Sequence, residues 1–145
     1  IGGQGVILAS DLLTAAAFRS GFDVKKSELH GMSQRGGSVS SDVRFGSKVW
    51  SPMIPEGKAD FLVSLAEDQV DVCRHLLKPG GIVFAPSMLG EYDPGRSINI
   101  AMLGALNAHL HFSDDIWARL LEETFSGDLL SVNQEAFRKG AKFIR

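Results

Sequence analysis

Residues 59–85, ADFLVSLAEDQVDVCRHLLKPGGIVFA, decide the fold class of this chain. The nearly continuous apolar run from Ala59 to Leu65 is typical of a parallel core strand, buried on both faces. Asp68 to Leu77 is predicted to be a helix, and the KPGG tetrapeptide at 78–81 is a stop signal before an apolar strand from Ile82 to Ala85. A strand, a helix and a second strand in this order form the repeating step of an α/β fold.

Upstream of this step, a glycine-rich segment opens the chain. Gly2 to Gly5 is predicted to be a tight turn, followed by a mostly buried helix from Val6 to Ser20 and a short strand from Phe22 to Lys26. Because such a turn needs a strand leading into it, we expect further residues before Ile1.

The segment between these two parts is predicted to be antiparallel. Val39 to Phe45 is rich in strand formers, and the turn that follows lets Lys48 to Ser51 return as a hairpin partner before Pro52 ends the pairing. The expected fold is therefore α/β, with an open, mostly parallel Rossmann-like sheet, helices on both faces and an antiparallel hairpin excursion near residues 38–51.

Three helices are expected downstream of the core step. Ile98 to His111 is apolar and predicted to be helical, and Ser113 is the predicted N-cap of a second helix that Gly127 closes. Asn133 to Ile144 forms the last helix. The loop before them is short.

Composition narrows the class of protein. At 145 residues, of which 44% are hydrophobic, the chain is long enough for one domain covering residues 1–145. A formal net charge of −2 without a basic stripe argues against a nucleic-acid partner. No apolar run reaches the roughly 18 residues of a membrane span, and no leader is visible, so we expect a cytoplasmic protein without a membrane partner.

The metal-binding residue types are sparse. The single cysteine, Cys73, excludes an internal disulfide and a self-contained iron–sulfur cluster, which usually needs about four thiolates. His109 and His111 are spaced to point to different sides of a helix, and with His75 they are better explained as solvated or helix-end residues than as ligands. We therefore expect no metal site, and any redox centre would belong to a partner.

A polar, glycine-containing loop within HGMSQRGGSVSSDVRFG, residues 30–46, carries most of the chemistry. Its residues are His30, Gly31, Met32, Ser33, Gln34, Arg35, Gly36 and Gly37. The planar fork of Arg35 suits a carboxylate or phosphate, and the glycine pair lets another molecule come close. We interpret this loop as an interface or active-site border, with His30 and Arg35 as candidate catalytic residues. A structural alternative stays open, in which Arg35 pairs with Glu28 or Asp42.

The opening glycines are a second candidate site. The candidate cofactor-binding residues are Gly2, Gly3, Gln4 and Gly5. They precede a helix whose N-terminal N–H groups favour an anion. If glycine preceded Ile1, the spacing would complete G-x-G-x-x-G, with Asp23 or Glu28 about 20 residues onward for a ribose contact. A tight turn that needs glycine for close packing is the alternative, and both interpretations stay open.

Five segments together carry a family resemblance. They are GGQG at 2–5, ELHGMSQRGGSVSSDVRFG at 28–46, SPMIPEGKAD at 51–60, NIAMLGAL at 99–106 and NQEAFRKG at 133–140. They resemble the β subunit of indolepyruvate ferredoxin oxidoreductase, which is a gamma-type domain of the pyruvate/2-oxoacid ferredoxin oxidoreductase family. The resemblance covers nearly the whole chain, and the HGMSQRGG loop is its most specific part. This family typically has a longer excursion between the strand at Ile82–Ala85 and the segment that starts at Ile98, so the resemblance implies that a segment is missing from the sequence near residues 88–97.

The resemblance implies a subunit of a heteromeric enzyme. Its reaction would be thiamine-diphosphate-dependent oxidative decarboxylation of an aryl 2-oxoacid such as indolepyruvate, with coenzyme A as co-substrate and ferredoxin as electron acceptor. It implies that a large partner subunit holds thiamine diphosphate, Mg²⁺ and the iron–sulfur clusters and receives ferredoxin. This chain would bind none of these cofactors alone and would be inactive in isolation. The loop at His30 to Gly37 would border the active site, and Gly2 to Gly5 would face the same crevice.

Two other functions remain open from the sequence. One is a free-standing nucleotide-binding protein that uses the Gly2–Gly5 turn. The other is a structural homodimer of the isolated chain, in which Met32 and the strand from Val39 to Phe45 pair with a symmetry mate.

Overall fold

The computed structural model describes residues 2–30 and 39–143. Four short 3₁₀ turns, at 67–69, 74–76, 86–89 and 95–97, lie between its longer elements. In chain order, the helices and strands are α1 (Gly2–Arg19), β1 (Asp23–His30), β2 (Val39–Gly46), β3 (Ala59–Val63), α2 (Val70–Cys73), β4 (Leu77–Phe84), α3 (Ile98–Leu110), α4 (Asp114–Thr124) and α5 (Gly127–Lys142).

The chain divides into two compact units. The first contains residues 1–54 and 112–120, and the second contains residues 55–111 and 121–145. The first is built on α1, β1 and β2, whereas the second contains the parallel strands β3 and β4 together with α3 and α5.

In the first unit, α1 packs on an antiparallel ribbon of β1 and β2. The register pairs Asp23 with Gly46 at one end and His30 with Val39 at the other. Leu12 of α1 is buried, as are two alanines of the same helix. Full burial of a leucine side chain stabilises a fold by about 1.5–3 kcal/mol, so this apolar stripe holds the helix on the ribbon.

Three phenylalanine rings close the end of the ribbon opposite its connecting loop. Phe22 precedes β1, Phe45 lies in β2, and Phe112 precedes α4. The ring centroids are 5.5–5.8 Å apart. Aromatic pairs at such separations stabilise by about 0.5–1.5 kcal/mol beyond their buried area.

The predicted turn at Gly2–Gly5 is wrong, because α1 already begins at Gly2. Each glycine in a helix interior costs about 1 kcal/mol relative to alanine, which does not prevent a helix from forming. The apolar residues that follow stabilise this helix by packing, so it extends back to Gly2. The strand predicted at Phe22–Lys26 is longer and shifted, running from Asp23 to His30. Pairing with β2 keeps its polar second half extended, which local composition did not indicate.

The predicted hairpin between the strand at 39–45 and Lys48–Ser51 is also wrong. β2 pairs with β1, and residues 48–51 form no strand. The antiparallel prediction holds, but the partner strand lies upstream. Residues 49–54 are instead hydrogen-bonded to side chains of the ribbon. Carboxylates of the ribbon accept from the backbone N–H groups of Val49 and Ile54. An arginine of β2 donates to the carbonyl oxygens of Ser51 and Met53.

In the second unit, β3 and β4 pair in parallel, as predicted for the core step. The KPGG segment at 78–81, expected to precede the strand, lies inside β4, where the register is irregular and Gly80 has a φ of +82°. The helix predicted at 68–77 is reduced to α2 with a 3₁₀ turn on each side. Short helices are marginal, and the β-branched Val70 and Val72 lower the helix propensity further.

The bounds of the three downstream helices agree with the prediction only in part. α3 matches the predicted helix at 98–111, and Ser113 caps α4, since its Oγ accepts a hydrogen bond from the Asp115 N–H at 3.2 Å. Gly127 does not close α4, which ends at Thr124; it is the first residue of α5. The last helix therefore begins six residues before the predicted Asn133.

The α/β class is confirmed, but the described residues contain two separate two-stranded sheets rather than one open sheet. One sheet is the antiparallel ribbon and the other is the parallel pair. Within the described ranges, no helix is both long enough and apolar enough to span a bilayer.

Candidate functional site

The structure shows where the predicted polar loop is attached. His30 is the last residue of β1, and its backbone partner is Val39, the first residue of β2. The segment between these paired residues therefore connects the two strands at one end of the ribbon. The loop residues that lie outside the described part of the chain are Gly31, Met32, Ser33, Gln34, Arg35, Gly36 and Gly37. Of His30, only the backbone is described.

The opening glycines lie at the same end of this unit as the paired strand ends His30 and Val39. After α1 ends, the chain reverses at Gly21, whose φ is +95°, and β1 runs back along the helix until Lys26 meets Asp11. From that contact, Gly2 is about 14 Å further along the helix and His30 about 13 Å further along the strand. The structure therefore brings the start of α1 and the paired strand ends His30 and Val39 to one end of the unit.

The predicted ribose contacts do not fit this arrangement. Asp23 follows the C-terminal end of α1, about 27 Å of helix away from Gly2. Its carboxylate accepts a hydrogen bond from the Val49 N–H at 2.8 Å. Glu28 is nearer to the glycines, but its carboxylate is paired with Lys26. Neither carboxylate is free to hold a sugar beside the opening turn of α1.

Lys26 joins the helix to the ribbon. Its Nζ lies 2.5 Å from Asp11 Oδ1 and 2.5 Å from Glu28 Oε2. The lysine side chain is 22% exposed and that of Glu28 is 28% exposed. The hydrogen bonds to Asp11 and Glu28 raise the pKa of Lys26 above its ordinary value, against the smaller opposing effect of burial. The ammonium group is therefore a fixed cation at the helix–ribbon contact.

The segment after β2, residues 49–54, is hydrogen-bonded to side chains of the ribbon. Arg44 donates from Nη1 to the carbonyl oxygens of Ser51 and Met53, at 3.2 and 2.8 Å. Asp42 Oδ2 accepts from the Ile54 N–H at 3.0 Å. Asp42 and Arg44 alternate on β2 with the residues that face α1, so they lie on the opposite face of the ribbon. Asp42 thus has a backbone partner, which weakens the prediction that it pairs with Arg35.

The segment at residues 49–54 exposes large apolar side chains to solvent. Trp50 is 83% exposed, and the ammonium of Lys48 lies 4.9 Å from the centroid of its ring. Met53 is also exposed. Neither residue was predicted to be exposed, although a tryptophan close to two prolines in a polar connector is a usable signal for an exposed aromatic side chain.

The remaining histidines and Cys73 belong to the second unit. His109, in the last turn of α3, packs its ring against Phe61 and Phe84, with centroids 6.0 and 5.5 Å away. His75 and His111 are exposed, and Cys73 is half-buried. Among residues 2–30 and 39–143, no three His, Cys, Asp or Glu side chains are grouped to bind a metal ion.

Lys26 is the residue of this region that sequence reasoning overlooked. Lys26 and Glu28 alternate on the strand face that also carries Val24, and that face packs on α1. Two charges of opposite sign on the packed face of a strand indicate a built ion pair, since a buried charge is costly without a partner. That pattern is visible in the sequence once the strand is known to extend beyond Lys26.

Comparison with known proteins gives consistent matches. The family model for pyruvate ferredoxin/flavodoxin oxidoreductase matches residues 1–94. The indolepyruvate oxidoreductase subunit IorB of Thermococcus kodakarensis is 39% identical over 137 residues, which cover 93% of this chain and 62% of that protein. IorB of Pyrococcus horikoshii matches with the same identity and coverage. The chain thus spans less than two thirds of the length of these relatives.

Two solved structures share its fold. The gamma subunit of a keto/oxoacid ferredoxin oxidoreductase from Geobacter sulfurreducens has a TM-score of 0.68 at 23% identity, covering 98% of this chain and 92% of that chain. The 2-oxoglutarate:ferredoxin oxidoreductase from Magnetococcus marinus has a TM-score of 0.75 at 22% identity, covering 98% of this chain and 29% of that chain. At these identities the likeness establishes the α/β fold.

Proposed function

The chain belongs to the pyruvate ferredoxin/flavodoxin oxidoreductase family, and from that membership we propose that it is part of the small subunit of a 2-oxoacid ferredoxin oxidoreductase. Its substrate is an aryl 2-oxoacid, most simply indolepyruvate. The observation that carries the substrate class is the 39% identity to the IorB proteins over 93% of the chain. The subunit works in the cytoplasm as one gamma-type domain, for which the β3–β4 pair would supply part of an open, mostly parallel sheet.

The reaction is an oxidative decarboxylation. The 2-oxoacid loses carbon dioxide, its acyl carbon is oxidised and bonded to the sulfur of coenzyme A, and ferredoxin is reduced. Thiamine diphosphate supplies stabilisation of the acyl carbanion when it is bound, and we assign it, with Mg²⁺ and the iron–sulfur clusters, to a large partner subunit.

The residues of this chain would border the substrate pocket of the partner subunit. The loop that joins β1 to β2 extends from a two-stranded ribbon held on α1, and a rigid scaffold presenting a polar loop is a common way to build a binding surface. Arg35 would hold the substrate carboxylate in a bidentate pair, and His30 and Gln34 would border it. The opening turn of α1, at the same end of the unit, would add backbone N–H groups toward the same crevice.

Reconstitution with the large subunit tests the function. The full-length small subunit, co-expressed with the large subunit, should restore coenzyme-A-dependent reduction of a viologen dye by indolepyruvate. If the assembled pair is inert toward every 2-oxoacid tested, while the small subunit alone turns over a substrate, the proposal is wrong. Calorimetry of the small subunit against NAD, FAD and coenzyme A tests the alternative, a free-standing nucleotide-binding protein. Tight binding of a dinucleotide by the small subunit alone would favour that alternative.

Arg35→Ala separates a role in the pocket from a role in assembly. We expect the variant complex to assemble and to lose at least about tenfold in kcat/KM, because a charge-assisted contact to a carboxylate contributes about 1.5–3 kcal/mol. Arg74→Ala, which removes an exposed arginine paired with Asp71 at 3.5 Å, is the matched control and should behave like the wild type. Loss of assembly in Arg35→Ala would assign the loop to the subunit interface instead.

A further inference from the structure

Trp50 lies on the surface of the first unit, in a part of the chain whose backbone is fixed. The residue before it, Val49, is buried and donates its backbone N–H to the carboxylate of Asp23 at 2.8 Å. The residue after it, Ser51, accepts at its carbonyl oxygen from Arg44 at 3.2 Å. Because the backbone is held on both sides of Trp50, the ring is exposed by the course of the chain itself.

Met53 extends this exposed surface. Its side chain is 54% exposed, and its carbonyl oxygen accepts from Arg44 at 2.8 Å. The backbone N–H of the following residue donates to Asp42 at 3.0 Å. Lys48, Trp50 and Met53 together form what we call the tryptophan surface, and ribbon side chains fix the backbone beneath its two apolar residues.

A fixed and exposed aromatic side chain is the kind of residue that anchors protein interfaces. Tryptophan and methionine are enriched at interfaces, and tryptophan is among the residues that contribute most to binding. Since the backbone at Trp50 is already ordered, little further conformational entropy is lost when the ring is buried against a partner. The tryptophan surface therefore has the properties of a contact site for another protein chain.

The charges of this surface favour a partner other than a second copy. The Nζ of Lys48 lies 4.9 Å from the centroid of the Trp50 ring, so a cation borders the apolar surface. The neighbouring carboxylates of Asp23 and Asp42 accept from backbone N–H groups of the segment instead. In a symmetric dimer the same patch meets itself, which would bring two Lys48 ammonium groups together. An apolar pocket with a carboxylate at its rim is the complementary surface.

The size of the partner follows from the area of an interface. One aromatic side chain buries about 150–250 Å², whereas stable protein interfaces bury about 1,200–2,000 Å² in total. Trp50 can therefore anchor a larger interface but cannot form one alone. In the Magnetococcus marinus protein this fold corresponds to 29% of one longer chain, so there it is joined to much more polypeptide.

We propose that the tryptophan surface binds the large partner subunit, with Trp50 entering an apolar pocket and Lys48 meeting a carboxylate at the rim of that pocket. This inference rests on the proposed function. It assigns the interface to residues 48–53, which are described and which lie on the face of the ribbon opposite α1.

Association of the full-length small subunit with the large subunit tests the proposal. Trp50→Ala should raise the Kd of the complex by about thirtyfold or more, the loss expected at an interface hot spot. Phe18→Ala is the matched control, since Phe18 is an aromatic residue of the same unit that is 70% exposed, and it should keep the wild-type Kd. Circular dichroism establishes that both variants fold. A wild-type Kd for Trp50→Ala, or an equal loss in Phe18→Ala, would overturn the proposal.

The contribution of Lys48 is measured separately. Lys48→Glu should slow association severalfold at low ionic strength and less at high salt, because salt screens the attraction to a carboxylate. Lys142→Glu makes the same change at an exposed lysine of the second unit and should associate at the wild-type rate. Unchanged or faster association of Lys48→Glu would overturn the acidic rim assigned to the partner.

Hydroxyl-radical footprinting does not depend on activity. Trp50 and Met53 should be oxidised in the free small subunit and protected in the complex, whereas Phe18 should react equally in both. Protection that appears in the free small subunit as its concentration rises would make a second copy the occupant and overturn the proposal. An active complex that leaves Trp50 unprotected also overturns it. A complex that protects Trp50 but is inert toward every 2-oxoacid would overturn the proposed function instead.

Discussion

Asp23 has a role that its position at the start of a strand does not suggest. Its carboxylate accepts a hydrogen bond from the backbone N–H of Val49, a buried residue 26 positions further along the chain. That hydrogen bond is the largest cause lowering the pKa of Asp23, and the nearby charges of Lys25 and Lys48 add to it. The carboxylate therefore anchors the segment that follows β2 to the beginning of β1.

The pH dependence of this anchor follows from the lowered pKa. Because the folded state favours the ionised form, the stabilisation is present above the ordinary aspartate pKa of about 3.9 and is lost as the pH falls through the lower folded value. We expect the amide NMR signal of Val49 to titrate with a midpoint below 3.9. Asp23→Asn should remove this titration, because the amide does not ionise.

A matched exposed aspartate provides the comparison for this prediction. Asp71 pairs with Arg74, and its side chain is 92% exposed, so Asp71→Asn should leave the titration of Val49 unchanged. A midpoint for Val49 at or above 3.9, or the same titration in Asp23→Asn, would contradict the assigned cause.

At the level of elements, the contact of α3 and α5 depends on two glycines. A Cβ atom at Gly104 would collide with the carbonyl oxygen of Phe137, and one at Gly140 would collide with the carbonyl oxygen of Ala101. The obstacles are backbone atoms in the opposite helix, which cannot rotate away as a side chain can. The absence of a side chain at these two positions sets how closely the helices approach.

Alanine at either glycine should therefore destabilise the second unit. We expect Gly104→Ala and Gly140→Ala each to lower the free energy of unfolding by about 1–3 kcal/mol, the usual cost of overpacking, although alanine favours an isolated helix. Urea unfolding measures the change. Gly46→Ala, where a Cβ atom meets nothing within 4 Å, is the control and should have a smaller effect. Equal midpoints for all three variants would contradict the close-approach argument.

An element is predicted correctly from the sequence when the interactions that form it lie within a few residues of one another. α3 and the Ser113 cap were predicted correctly because an apolar run and a capping hydroxyl act within a few residues. The partner of β2 was predicted wrongly because the pairing depends on β1 and its packing on α1, both upstream of β2, and not on the turn that follows β2. The helical start at Gly2 was missed because glycine permits a helix as well as a turn.

The same distinction applies to the candidate site. The polar loop was predicted from composition, since histidine, arginine, glutamine and paired glycines are unusual together, and it stays a prediction because residues 31–37 lie outside the described part of the chain. Lys26 was missed because its importance comes from Asp11, a residue of the preceding helix that the sequence does not place beside it. Local chemistry thus suggests which residues could bind, whereas the packing of α1 on the ribbon decides which charged side chains form ion pairs.

At the scale of the whole molecule, the proposed division of labour places all redox chemistry in the partner subunit. Cys73 is the only cysteine of the chain, and it lies half-buried at the end of α2. Iron–sulfur clusters are held by several thiolates, usually about four. A lone thiol in this position is better explained as a small packing side chain than as a ligand.

Cys73→Ser tests this division directly. We expect the complex assembled with this variant to keep the iron and sulfide content and the visible absorption of the wild type, because the proposed function assigns the thiolates of the clusters to the partner. Cys73→Ala is the second variant, since it removes the thiol without adding a hydroxyl to a half-buried position. Circular dichroism establishes that each variant folds. Loss of iron from both folded, assembled variants would place a cluster ligand in this subunit and would overturn the assignment of the electron carriers to its partner.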